Sequence, residues 1–85
     1  MDIYINGKWV GEINACSMYD QRGPSFVHLK KGVRNKLRLT EYDQFFDTLK
    51  QAYEWLITAL PDAGVSGCIY DPNDGICKTI RQIIY

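Results

Sequence analysis

Residues 68–77, CIYDPNDGIC, set two cysteines around a turn crowded with oxygen donors, and the residue types raise three chemistries: a calcium loop, a zinc site and a disulfide. An EF-hand loop needs glycine at its sixth position and an acid at its twelfth. Counted from Asp71, Gly75 stands fifth and Gln82 twelfth, so no calcium loop is expected. Cys16, His28, Cys68 and Cys77 form a Cys3His inventory, but no two of them have the short knuckle spacing of structural zinc. Three cysteines do not close a disulfide framework. They are expected as free thiols in a reducing cytoplasm, and neither metal nor any other cofactor is expected. The stretch reads instead as a turn, with Asn73 or Asp74 capping a final helix.

Nucleophilic catalysis requires a base oriented beside a serine, cysteine or threonine. The single histidine, His28, lies among cations that oppose its protonation. Asp43 and Asp47 are one turn apart on the solvent side of an expected helix, where burial cannot tune either carboxylate. The glycines are scattered singly and make no phosphate loop. The chain therefore reads as a binding protein rather than an enzyme.

Two surfaces could do the binding. Trp55 falls outside the apolar arc of its expected helix, beside Gln51 and Thr48, with Asp43, Asp47 and Glu54 on the acidic side. A tryptophan among uncharged polar neighbours, with charge at the rim, has the composition of a protein-binding hot spot. The second surface is basic: His28, Lys30, Lys36 and Arg38 on one face of an expected hairpin, with Lys31 and Arg34 at its tip, would neutralise phosphates. Gly7-Lys8, Lys31-Gly32 and a Leu37-x-Leu39 strand entering a helix resemble single-strand-binding transcriptional coactivator domains over about half of the chain. That resemblance implies nucleic-acid binding on the sheet. The residues after Pro61 and a pI near 6.5 depart from it. INGKWV also resembles the opening phrase of aldehyde dehydrogenases, a six-residue likeness that reflects shared hairpin chemistry. The first surface is preferred, which makes the expected function that of a small protein-binding module. An inhibitor, immunity or antitoxin-type protein of bacterial or phage origin is the expected kind, with nucleic-acid binding as the alternative.

The elements that must position these residues follow from pattern. Asn6-Gly7 is a two-residue hairpin signal between β-formers, giving strands over 2–5 and 8–14 with Tyr4 opposite Trp9 and Ile3 opposite Val10. Residues 15–24 are expected to form a loop or an irregular strand end, punctuated by Gly23-Pro24. FVHLKK and NKLRLT alternate and predict a second hairpin joined through KGVRN, with Gly32 at positive φ. From Thr40, taken as N-cap, a helix over 41–60 places Tyr42, Phe45, Phe46, Leu49, Ala52, Tyr53, Leu56 and Leu60 on one stripe. A short strand over 67–70 precedes the last segment, where apolar residues at 76, 77, 80, 83 and 84 favour a helix over a strand. The expected fold is α+β: an antiparallel sheet of four to five strands, made from two N-terminal hairpins, covered by one long helix.

At 85 residues the chain is expected to form one domain with a small core. Its zero net charge conceals about +6 over residues 21–40 and about −6 over 41–74, a separation that can steer a partner or orient copies head to tail. The apolar stripe of Ile76, Ile80, Ile83 and Ile84 adds the expectation of a homodimer. An acid at position 2 and the lack of a long apolar run predict neither a signal peptide nor a membrane span.

Overall fold

In the computed structural model, which describes residues 1–15, 24–73 and 75–81, the chain reverses at Asn6 and Gly7, whose φ angles of 54° and 77° are those a two-residue hairpin demands. This turn joins β1 (Asp2–Ile5) to β2 (Lys8–Ala15). Tyr4 faces Trp9 as expected, but Ile3 faces Gly11 and not Val10. The register slips because Val10 is the extra residue of a β-bulge, which increases local twist.

After β2 come β3 (Ser25–Leu29), α1 (Lys31–Leu37), β4 (Asp43–Phe46), α2 (Leu49–Ala59), α3 (Ala63–Ser66), β5 (Gly67–Asp71) and β6 (Ile76–Thr79). The strands form one sheet in the order β4-β3-β2-β1-β5-β6, with every neighbouring pair antiparallel. The fold is α+β, with six strands in place of four to five. Burial alternates along β1, β3 and β5, so one sheet face carries the core and the other faces solvent. Ile3, Ile13, Val27, Leu29 and Ile69 pack beneath Leu49, Ala52, Tyr53 and Leu56 of α2. Each such aliphatic side chain, fully buried, contributes roughly 1.5–3 kcal/mol.

Three expected elements are different. The second hairpin is absent because KGVRNKL is helical, with Val33 and Leu37 one turn apart on its half-buried side. Its end is closed by Arg38 at φ 57° and by the Leu39 amide donating to the Arg34 carbonyl, 3.0 Å. That closure normally calls for glycine or asparagine, so an arginine there leaves little trace in the sequence. Gly32 lies inside the helix and does not turn it.

The long helix over 41–60 is also divided. Residues 43–46 form β4, and α2 begins after Thr48, whose hydroxyl accepts from the Gln51 amide while the Gln51 side chain accepts from the Thr48 amide. Such a reciprocal capping box marks a helix start firmly, and it displaces Thr40 as the cap.

The last segment, finally, is strand and not helix over Ile76–Thr79, with Ile80 fully buried just beyond. Asp71 Oδ1 accepts from the Asn73 amide, and Gly75 at φ 68° donates to the Asp71 carbonyl, so this turn closes a hairpin instead of starting a helix. Of the predicted isoleucine stripe, Ile80 is interior and Ile76 is on β6, so these two do not share one exposed helix face; 83 and 84 lie outside the described residues, as do the greater part of the predicted 15–24 loop and the Asp74 cap.

Candidate functional site

All three helices lie on the core side of the sheet, and no described helix covers the other face. The strand registers arrange that open face in rungs. One rung crosses all six strands as Asp43, His28, Glu12, Asp2, Tyr70 and Cys77. A second runs Phe45, Phe26 and Asn14, and a third runs Trp9, Tyr4, Cys68 and Thr79. Aromatic groups and carboxylates thus share this face, their places set by the backbone register.

The outer end of this face, on β3 and β4, is the most aromatic. Phe45 and Phe26 are tilted against each other with centroids 5.7 Å apart, yet Phe45 remains 75% exposed. Tyr42, 71% exposed, lies parallel to the His28 ring at 5.8 Å and has the Arg34 guanidinium 4.3 Å from its centroid. Such a contact is worth roughly 0.5–1 kcal/mol at an exposed site. His28 Nδ1 lies 2.9 Å from Asp43 Oδ1 and 3.2 Å from the Tyr42 carbonyl. Both partners are acceptors, so this nitrogen carries the proton. On the central strands the Trp9 indole donates to Asp2 Oδ1 at 3.2 Å.

The residues predicted as a protein-binding set do not share one surface. Trp55 is half-buried, packed against the core and tilted against Phe46 at 5.6 Å, and so is not the outward anchor expected. Thr48 and Gln51 are engaged in the α2 cap. Asp47 is exposed just before that cap, and Glu54 is 4.0 Å from Lys50 on the exposed side of α2. Asp43 belongs to β4 on the open face, so it does not lie one helical turn from Asp47.

The predicted basic ridge is likewise dispersed, because a helix replaces the strand whose alternation would have aligned it. His28 is on the open face between rung neighbours Asp43 and Glu12, carboxylates rather than the expected cations. Arg34 donates to the Leu29 carbonyl at 2.8 Å as well as covering Tyr42. Lys30 precedes α1, Lys31 opens it, Lys36 is in its last turn and Arg38 ends it.

The cysteines are a correction of another kind. Cys68 and Cys77 are joined in a disulfide with Cα atoms 5.8 Å apart, which adjacent antiparallel strands provide. They are not free thiols, and the Cys3His inventory loses two ligands; Cys16 lies outside the described residues. Among the described residues no three His, Cys, Asp or Glu side chains are grouped to hold a metal ion. Nor is any described helix long and apolar enough to cross a membrane.

Sequence reasoning missed Tyr42, Phe45, Phe26 and Trp9 as a surface, assigning the first two to a core stripe. A signal was present in Phe45-Phe46: on a strand, adjacent aromatics point to opposite faces, so one of them must be exposed. No known family, curated protein or solved structure matches this chain.

Proposed function

We propose that this chain is a non-catalytic protein-binding module that acts by covering a partner's surface with the open face of its sheet, as an inhibitor, immunity or antitoxin-type protein does. The observation that carries this reading is the exposure of Phe45 on β4 and of Tyr42 immediately before that strand, continuous with Phe26 and His28. Aromatic groups whose positions are already fixed lose little entropy on binding and are enriched at interface hot spots. The acids Asp2, Glu12 and Asp43 on the same face favour a partner with basic groups around an apolar centre. They also weigh against the phosphate backbone of the alternative reading, since they would repel it.

The test is capture from the native host with wild-type protein and with Tyr42→Ala/Phe45→Ala, followed by affinity measurement on the captured protein. Each truncation is expected to weaken binding by about 2 kcal/mol, or roughly 30-fold, with the melting temperature unchanged. Equal affinity of wild type and double variant, or recovery of nucleic acid alone, would overturn the reading.

A further inference from the structure

A groove of about 440 Å³ opens on the helix-bearing side of the sheet, away from the aromatic face. Its floor is Ile5 with Val10, the bulged residue of β2. Val33 and Leu37 of α1 form one wall and Leu60, from the link between α2 and α3, forms the other. The groove is left beside α1 because that helix contributes no fully buried residue: it is tethered by the Lys30 amide donating to the Val10 carbonyl at 2.9 Å, and Val33 and Leu37 pack against the core only in part. Its size is within the roughly 300–1,000 Å³ typical of small-molecule sites.

The rim carries charge of one predominant sign. Lys8, Lys30 and Lys36 line it, and none forms an ion pair with another described residue; Asp62 is the single acid among the lining residues. An apolar floor under uncompensated ammonium groups matches a molecule with an apolar body and an anionic head. We propose that this groove binds a small amphipathic carboxylate of the fatty-acid type, with its chain against Val10, Val33 and Leu37 and its carboxylate between Lys30 and Lys36. Ammonium groups on flexible stems reach such a head without leaving water, so selectivity comes from the combination of charge and chain. This site does not depend on the partner-binding reading of the open face.

Titration of isotope-labelled protein with decanoate, below its micellar range, and with decanol and butyrate tests this by amide chemical shifts. Decanoate should saturate with shifts at Val10, Val33, Leu37 and Leu60, while decanol, which lacks the charge, and butyrate, which lacks the chain, bind more weakly. Lys30→Gln/Lys36→Gln alters exposed side chains and should weaken decanoate by roughly tenfold, about threefold per lysine, leaving decanol unchanged. Non-saturable shifts, shifts centred on Phe26 and Phe45, or equal affinity for decanoate and decanol would overturn the proposal.

Discussion

A methyl group on Gly11 would lie 2.2 Å from the His28 carbonyl oxygen, so the bulge of β2 and its pairing to β3 require that this residue have no side chain. Gly11→Ala is expected to destabilise the fold by about 1–3 kcal/mol, the cost of forcing volume into a packed site, read as a lower urea midpoint with an unchanged slope. Tyr53 makes a second prediction. Burial pushes its phenol from 10.0 up to about 12. Below pH 10 both folded and unfolded chains keep the proton. Between about 10 and about 12 the unfolded chain releases it first, so stability falls with rising pH by roughly 2–3 kcal/mol. Unfolding at pH 8, 10 and 11 should show that decline in wild type and a shallower one in Tyr53→Phe. Which aromatic residues face solvent was only half legible. Tyr4 opposite Trp9 follows from a turn type that is written in two residues. The outward position of Phe45 follows from whether residues 43–46 are strand or helix, which their own side chains leave open.

Elements were legible where local chemistry specifies them without help. Asn6-Gly7 gives β1 and β2 directly, and the apolar spacing of Leu49, Ala52, Tyr53 and Leu56 gives the body of α2. They were illegible where a distant contact decides. β4 is a strand because it has β3 to pair with, and β6 is a strand because β5 and a disulfide hold it. The capping box of Thr48 and Gln51 was legible in principle, but an earlier threonine with acids after it supplied a competing start. The β5–β6 hairpin carries its own prediction. Cross-linking two cysteines nine apart in sequence restricts the unfolded chain, and its loss should cost about 2–3 kcal/mol in the chain-entropy account. Cys68→Ser/Cys77→Ser should melt lower than the oxidised protein, and thiol titration in denaturant should gain two thiols per chain after reduction. A link of this kind persists in oxidising surroundings, so the redox state in which the protein is purified decides which form is measured.

In the whole molecule, the first strand is interior: β1 is flanked by β2 on one side and by β5 on the other, with Ile3 facing Ile69. The domain is therefore closed by a contact between its two ends in sequence. Removing residues 67–85 should abolish cooperative unfolding by circular dichroism, although β1, β2, β3 and α2 remain in the chain. A truncated protein that still melts sharply would contradict this. The same arrangement has a consequence during synthesis. On the ribosome, β1 and β2 can pair as soon as they emerge, but the other flank of β1 stays bare until residues 67–71 follow. At about 5–20 residues per second, the stretch from Ile5 to Gly67 takes roughly 3–12 s to make. For those seconds the nascent chain presents an unsatisfied strand edge beside apolar side chains, the state in which neighbouring nascent chains on one messenger can pair with each other. Slow translation or crowded polysomes should then lower the yield of folded protein while leaving the stability of the finished fold untouched.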